Sequence, residues 1–351
     1  DTAGRFYVGP QGAGADPGPA CYGLGGNAPT VTDAQLVLGR LKSGRYANGL
    51  IQLDEARAKR AIETKLAGPL GLSVDEAAYG VLRMADQSIR HALERMSSER
   101  GCNPQGFVLV AGGGAGALHA APVARQLGCK SVYVPRLAGV LCAFGMCNSD
   151  IRHDYVQSAM RDLEENDMSV FDDRFTAMEA EAEKALARDG FEPGAMTFER
   201  FMDLKYAGQQ WSVKVPVPDL SGDGSAVRRR FDEEYRQLYG LVPGRGSVVV
   251  DKLRLIGLGE LPRIDLNVSV EADAPPTPVE ERIVYIDEVV GRRSIPVYDG
   301  AEFMPGQSCR GPALIEEDTT TILVGRGDHI EMDAHGNYRI ELNSEGAENV
   351  N

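Results

Sequence analysis

The spacing of apolar and polar positions divides the chain into regions of different texture. Residues 73–134 combine a long stripe at helical spacing with short, wholly apolar runs, as in an α/β domain. Residues 161–270 mix a charge-rich helical stripe with strands of period two. Beyond these, turn residues separate short β-rich runs. We therefore expect an α/β segment over 1–160, an α+β continuation over 161–270, a β-rich domain over 271–345 and a tail over 346–351.

The clearest predicted helix begins at a capping box. Ser73 and Glu76 stand three residues apart, directly before an apolar stripe that continues to about Glu99. Gly101 and the following Asn-Pro pair end the helix. The positions expected to be buried along it are Ala77, Val81, Leu82, Ala85, Ile89, Ala92, Leu93 and Met96.

A strand, a glycine turn, a helix and a second strand follow in that order. Residues 107–111 are wholly apolar, which is typical of a strand buried on both faces. Three glycines come next, then a helix of small residues over about 115–127 and an apolar run at 131–134. This order predicts a parallel pair of strands joined by a right-handed crossover.

The glycines of this turn are the first candidate for a ligand site. A helix that begins on glycines exposes backbone N–H groups and the positive end of its dipole, and a nucleotide can approach closely. The turn lacks the Gly-Lys-Ser/Thr of a P-loop and the acidic partner of a dinucleotide fingerprint. On the residues alone, glycines used for tight packing explain the pattern equally well. The candidate binding residues are Gly112, Gly113, Gly114, Ala115 and Gly116.

Other polar residues admit functional and structural interpretations. Asp16, in a stiff Gly- and Pro-rich opening loop, either binds a metal or orients water, or it stabilises an Asx-type turn. His119 is expected to be a packing residue with satisfied hydrogen bonds. His153 and Asp154 are neighbours on a predicted strand, so they face opposite sides and should not pair with each other. Cys21 has no identifiable activating base, which favours a structural role.

Composition and charge narrow the class of protein. Apolar residues make up 43% and charged residues 25%, as in globular proteins, and no apolar run is long enough for a membrane helix. The net charge of −14 argues against binding to nucleic acid. The six cysteines form no C-x-x-C pair, no cluster with metal-ligand spacing occurs, and the first residues do not form a signal peptide. We expect a cytoplasmic protein with reduced thiols.

Motifs along almost the whole chain resemble those of the hydantoinase A/oxoprolinase family. The match is collinear from about residue 5 to residue 342, and its opening motif is specific. The matching segments are residues 8–23, 29–34, 98–101, 112–120, 144–155, 205–209 and 310–317.

The resemblance implies a fold and a chemistry. The fold is α/β, one lobe of an actin-like or sugar-kinase-like ATPase followed by a smaller β-rich C-terminal domain. The cofactors are ATP and Mg²⁺, with Gly112 to Gly116 on the adenosine side and Asp16 facing the reacting centre. ATP would phosphorylate a carbonyl or cyclic amide oxygen. The overall reaction would be ring-opening hydrolysis of the hydantoin or 5-oxoproline type or, alternatively, carboxylation of acetone or acetophenone.

One departure from the family limits what this chain is expected to do alone. The Asp-Gly-Gly-Thr phosphate loops precede the opening motif in the family, and this sequence lacks them. We expect the C-terminal half of an A-type subunit, inactive alone, with the Mg²⁺ site mostly in the missing part. Its expected partners are the N-terminal half of the same subunit and a B-type subunit. A non-catalytic assembly module for the B-type subunit is the second alternative.

Overall fold

The computed structural model describes residues 7–46, 49, 51–165, 167–220, 224–243, 246–263, 272 and 274–343. Its helices are α1 (Val31–Val37), α2 (Glu55–Ile62), α3 (Gly68–Leu70), α4 (Val74–Glu99), α5 (Gly116–Leu127), α6 (Leu141–Cys147), α7 (Ser169–Arg188) and α8 (Ser225–Tyr239). Its strands are β1 (Gly44–Tyr46), β2 (Ile51–Leu53), β3 (Val108–Val110), β4 (Ser131–Val134), β5 (Ile151–Asp162), β6 (Met196–Tyr206), β7 (Val213–Pro216), β8 (Val248–Gly259), β9 (Glu280–Tyr285), β10 (Arg292–Asp299), β11 (Ser308–Arg310), β12 (Ala313–Glu317), β13 (Thr320–Val324), β14 (His329–Met332) and β15 (Tyr338–Glu341).

The chain forms two compact units. The first contains Asp1–Ser98, Asn103–Phe144 and Leu266–Asn351, and the second contains Glu99–Cys102 and Gly145–Asp265. Residues 161–265 of the continuation predicted for 161–270 lie in the second unit. The residues after it return to the first unit.

The first unit contains a five-stranded sheet in the order β11-β14-β15-β4-β3. Strands β3 and β4 are parallel and α5 connects them, which confirms the predicted strand, turn, helix and strand. Strand β15 pairs antiparallel with β4, so the C-terminal β-rich segment supplies three strands to this sheet. The other strands of that segment form a four-stranded sheet in the order β13-β12-β10-β9.

Small residues bring α5 close to the strands of this unit. Ala117, Ala120 and Ala124 of α5 are buried in one apolar cluster with Val132 of β4 and Ile322 of β13. Alanine presents only a methyl group, so the helix backbone lies near the strands and its position is well defined. The N-terminus of α5, where the glycines lie, is fixed by this packing.

Two predictions of burial in the first unit are wrong. Phe107, Val108 and Val110 are 52%, 49% and 56% exposed, although an apolar run had suggested a strand covered on both faces. Strand β3 lies at the edge of its sheet and pairs only with β4 among the described strands. On α4, Ile89 and Met96 are 39% and 47% exposed, so only the first half of the predicted stripe is buried.

The second unit contains an antiparallel sheet in the order β5-β8-β6-β7, with α7 and α8 packed into its core. Six apolar residues of α7 recur at helical spacing and are expected to be buried. Five of them, Phe171, Phe175, Met178, Ala182 and Leu186, are buried, whereas Val170 is only partly buried. The period-two alternation over residues 211–217 predicts a strand that starts at Trp211, but Trp211 is 77% exposed and β7 begins at Val213. Sequence periodicity could not distinguish a turn residue from the first strand residue there.

Two further properties concern the whole described chain. No described helix combines the length and the apolar character needed to cross a bilayer. The six cysteines are free thiols, of which Cys21 and Cys129 are buried.

Candidate functional site

The glycine loop, residues 112–116, is a tight turn between β3 and α5. Ala111 donates its N–H to the Tyr133 carbonyl at 2.8 Å, which continues the pairing with β4 up to the first glycine. Gly113 then adopts φ +87°, a left-handed conformation that disfavours other residues. Its N–H donates to the Ala138 carbonyl at 2.7 Å. The left-handed backbone conformation therefore requires a glycine at position 113.

Donor groups of the loop remain available to a ligand. No side chain caps the first turn of α5. Among the described residues, the N–H groups of Gly114 and Ala115 donate to no backbone carbonyl. Unpaired N–H groups at the positive end of a helix favour an anionic or strongly accepting ligand atom.

A pocket of about 410 Å³ opens beside the loop. This volume lies within the range of small-molecule sites. The walls are mostly aliphatic, and His119 is the one ionisable side chain among them. The lining residues are Ile89, Leu93, Leu109, Val110, Ala111, Gly112, Ala115, Gly116, His119, Ala120 and Val123.

His119 is tied to two other helices by hydrogen bonds. Its Nδ1 lies 2.6 Å from Oδ1 of Asp86 on α4, and its Nε2 lies 3.3 Å from Nε2 of Gln35 on α1. All three side chains are buried, and Oε1 of Gln35 has no partner among the described residues. His119 is therefore buried with a partner at each ring nitrogen, as expected of a packing histidine. Sequence reasoning missed that the same ring borders the pocket.

The opening segment is organised by Asp33, which is fully buried. Its carboxylate accepts hydrogen bonds from the N–H groups of Ala20 at 3.2 Å and Cys21 at 2.8 Å. It also accepts from the N–H and the hydroxyl of Thr30, at 2.9 and 2.8 Å, and so closes a capping box at the start of α1. The spacing of Thr30 and Asp33 could have revealed this cap from the sequence.

Cys21 has the environment of an inert thiol. The side chain is completely buried, and burial together with the nearby Asp33 carboxylate raises the pKa of the thiol far above its ordinary value. A nucleophilic cysteine needs the opposite shift. This geometry agrees with the structural role expected from the sequence.

Asp16 lies apart from the glycine loop's pocket. Its side chain is exposed, and it lines neither that pocket nor a second pocket of about 810 Å³ bordered by residues 7–14. The structure therefore does not bring Asp16 and the glycine loop into one described pocket. A role for Asp16 at a reacting centre stays a prediction.

The remaining polar candidates each pair with another side chain. Nε2 of His153 pairs with Oδ2 of Asp189 at 2.6 Å, and Asp154 pairs with Arg152, so the predicted absence of a His153–Asp154 pair is confirmed. Within the described ranges, no group of three or more His, Cys, Asp or Glu side chains is arranged to hold a metal ion.

The fold and the loop together define the class of protein. It is an α/β protein in which a parallel strand leads through uncapped glycines into a helix, beside a pocket of small-molecule size. Residues 1–155 match the family described as Hydantoinase/oxoprolinase, and residues 158–341 match the Hydantoinase/oxoprolinase C-terminal domain. The chain belongs to the hydantoinase/oxoprolinase family.

Three comparisons describe its similarity to known members. It is 33% identical over 349 residues to the caprolactamase subunit alpha of Pseudomonas jessenii, covering 97% of this chain and 50% of that protein. It is 32% identical to the acetophenone carboxylase gamma subunit of Aromatoleum aromaticum, covering 95% of this chain and 47% of the other. The crystal structure of the ATP-dependent caprolactamase from Pseudomonas jessenii matches with a TM-score of 0.86 at 33% identity, over 97% of this chain and 50% of that one.

These comparisons show what the chain covers. It spans about half the length of these relatives. The family, the α/β fold and the relation to enzyme subunits follow from the matches. The glycine loop stays a candidate binding site.

Proposed function

We propose that this chain is part of an ATP-dependent amidohydrolase subunit of the hydantoinase/oxoprolinase type, in which the glycine loop holds the adenosine of ATP. The observation that carries the proposal is the uncapped loop 112–116 opening on an apolar pocket of about 410 Å³. The similarity to a caprolactamase described as ATP-dependent supports the choice of nucleotide. ATP would supply a phosphoryl group that turns a carbonyl or cyclic amide oxygen into a better leaving group.

The residues of this chain bind and orient the nucleotide. Ile89, Leu93 and Leu109 provide aliphatic walls on which a purine ring would be desolvated. The N–H groups of Gly114 and Ala115 donate to acceptor atoms at the open end of α5. Because Gly113 holds the turn at φ +87°, these donors are positioned before the ligand arrives.

Two finer parts of the proposal concern the reacting centre. Asp16, exposed on the opening loop, faces the substrate side and orients the group to be activated. Mg²⁺ accompanies the nucleotide, and it characteristically takes its ligands from substrate phosphates, water and one or two carboxylates. We place the protein ligands of Mg²⁺ mostly in the half of the subunit that the relatives contain and this chain does not cover.

A ketone carboxylase is the second candidate function. The similarity to the acetophenone carboxylase gamma subunit is almost as high as that to the caprolactamase subunit. Both reactions can begin by activating a carbonyl oxygen, so the glycine loop would serve either. The identity of the substrate distinguishes the amidohydrolase from the ketone carboxylase.

We place two partners beside the chain in the assembled enzyme. One is the other half of the subunit, which the relatives contain, and the other is a B-type subunit, since the relatives are named as subunits. The exposed apolar side chains of Val108 and Val110 on the edge strand β3, and of Phe107 directly before it, support the first partner. An uncovered apolar edge strand is a pairing site for another strand.

Nucleotide binding tests the central proposal. In the assembled enzyme, ATP and AMP should raise Tm, and Gly113→Ala should remove most of that shift because alanine at φ +87° distorts the loop. Gly190→Ala is the matched control, since Gly190 has φ +95° and, like Gly113, has open space where a Cβ would stand. No Tm shift with the wild-type enzyme, or equal losses in both variants, would refute nucleotide binding at this loop.

Substrate-stimulated ATP hydrolysis tests the reaction class. The assembled enzyme is assayed with hydantoin, 5-oxoproline, a lactam, and acetone or acetophenone with bicarbonate. Stimulation by a cyclic amide supports the hydrolase, and stimulation that requires bicarbonate supports the carboxylase. A rate that no substrate changes would contradict both.

The partner proposal has its own test. Val108→Lys or Val110→Lys should prevent the first unit from binding the other half of the subunit, because a charge would have to be buried at the β3 edge. Val289→Lys controls for the added charge, since Val289 is 83% exposed on a turn of the same unit. Association that survives both β3 substitutions would exclude this edge as the contact.

A further inference from the structure

The hairpin of β12 and β13 contacts the glycine loop at residues that do not line the pocket. Thr320 pairs with Glu317 at the end of this hairpin, so Asp318 and Thr319 form its two-residue turn. The Thr320 hydroxyl donates a hydrogen bond to the Gly114 carbonyl at 3.0 Å, and Thr320 is only 5% exposed. Neither Thr319 nor Thr320 lines the pocket.

Close packing shows that this support is specific. A Cβ at Gly139 would stand 2.4 Å from Cβ of Thr319, and a Cβ at Gly114 would stand 3.1 Å from the Thr319 carbonyl oxygen. The turn preceding α6 also accepts the N–H of Gly113 through the Ala138 carbonyl. The glycine loop, the turn at 138–140 and the hairpin tip therefore pack together as one assembly.

The hydrogen bond from Thr320 has a directional consequence. The peptide between Gly114 and Ala115 is trans, because every cis peptide in the described part of the chain precedes a proline. In a planar trans peptide the C=O and the N–H point in opposite directions. Fixing the Gly114 carbonyl toward β13 therefore directs the Ala115 N–H away from the hairpin, and Ala115 lines the pocket.

We infer that Thr320 is a positioning residue for the ligand of the glycine loop, acting through the Gly114–Ala115 peptide. This inference rests on the proposed function, since the ligand in question is the nucleotide. Thr320 does not touch that ligand. Its hydroxyl selects the peptide orientation in which the Ala115 donor faces the pocket. The hairpin belongs to the segment matched by the C-terminal family domain, whereas the loop lies in the other matched segment.

The first experiment compares Thr320→Val, Thr320→Ser and the control Thr321→Val in the assembled enzyme. Thr321 is the next residue of β13, its side chain faces the other side of the strand, and no side-chain hydrogen bond is seen for it among the described residues. Thr320→Val should weaken ATP binding about 3- to 10-fold, the effect of one lost hydrogen bond. Serine keeps the hydroxyl, so Thr320→Ser and Thr321→Val should both remain within about twofold of the wild type.

Hydrogen exchange gives a readout that does not need nucleotide. In the 351-residue chain, Thr320→Val should accelerate exchange of the peptide covering residues 112–116, and Thr321→Val should not. Gly139→Ala should have the same effect on the loop because its Cβ collides with Thr319.

The possible outcomes separate this inference from the proposed function. If Thr320→Val lowers Tm but leaves ATP affinity and loop exchange unchanged, Thr320 is merely structural and the inference is wrong, while nucleotide binding stands. If the wild-type enzyme binds neither ATP nor AMP, the proposed function fails and this role fails with it. Loss of affinity in Thr320→Val with recovery in Thr320→Ser supports both.

Discussion

Replacing His119 with alanine should destabilise the first unit strongly. The side chains of His119 and Asp86 are each only 9% exposed, and their nitrogen and oxygen atoms lie 2.6 Å apart. His119→Ala leaves the Asp86 carboxylate buried without this partner. Removing one member of such a buried pair costs about 3–5 kcal/mol of unfolding free energy.

Two further variants separate the hydrogen bond from the volume of the ring. Asp86→Asn retains an oxygen that accepts from Nδ1 of His119, so it should cost only about 1 kcal/mol. In the double variant His119→Ala with Asp86→Ala, neither polar group is left buried without its partner. The double variant should therefore lose about 1–3 kcal/mol less unfolding free energy than the sum of the losses in His119→Ala and Asp86→Ala.

The measurement must report on the first unit alone. The single tryptophan, Trp211, lies in the second unit, so its fluorescence cannot follow this change directly. Cys21 is buried in the apolar cluster that also contains Leu118, the neighbour of His119. Pulsed thiol labelling of Cys21 across a urea series therefore gives the unfolding free energy of the first unit. Trp211 fluorescence serves as the internal control.

Two results would refute this reasoning. A cost below about 1 kcal/mol for His119→Ala would mean that Asp86 finds another partner or water, so the pair is not a closed buried contact. Additive losses in the double variant would mean that the two side chains act independently. Either outcome would also remove His119 as the element that ties α5 to α4.

Three further predictions follow from the described contacts. At pH 8, iodoacetamide should modify the exposed Cys142 in the native protein but reach Cys21 only in urea, because burial raises the pKa of that thiol; native labelling of Cys21 would contradict its placement. Burial and the hydrogen bond to Asp232 raise the pKa of Tyr206 from 10.0 to about 12. The unfolded chain therefore loses this proton first, and the unfolding free energy should fall between pH 10 and about 12, by up to about 1.4 kcal/mol per pH unit. Tyr206→Phe should flatten that fall, and an unchanged profile in urea titrations would exclude Tyr206 as its source. Asp33→Ala should cost at least about 3 kcal/mol in the Cys21 labelling assay, since it leaves several buried donors without an acceptor, and a loss below about 1 kcal/mol would show that water replaces the carboxylate.

The local architecture was predictable where a short segment contains its own signals. The capping box at Ser73 and Glu76 is formed, with Ser73 donating to Glu76 and the Glu76 N–H donating back at 3.2 Å. The stripe of α7 and the succession of β3, glycine loop, α5 and β4 also agree with the sequence. Each depends on residues close in the chain, so propensity and periodicity suffice.

The contacts that define the candidate site could not be predicted in the same way. Asp86 and His119 are separated by 33 residues, Gln35 and His119 by 84, and Gly114 and Thr320 by 206. No periodic pattern specifies which distant side chain meets a given ring or carbonyl. The sequence did indicate the loop itself, because glycines between an apolar run and a helix are informative without knowledge of the partner.

The exposed β3 edge explains why an apolar run misled the prediction of burial. A run with polar side chains on neither face is selected where a strand is covered on both faces. In the described chain, Val108 and Val110 of β3 and the preceding Phe107 are each about half exposed. This segment is therefore more apolar than its exposure in this chain would require. Covering those exposed parts would contribute about 1 kcal/mol for each side chain. The relatives are about twice as long as this chain, and under the proposed function their additional half would pack on these side chains and supply that cover. The disagreement between pattern and exposure is therefore the expected result if β3 is an interior strand of the assembled subunit.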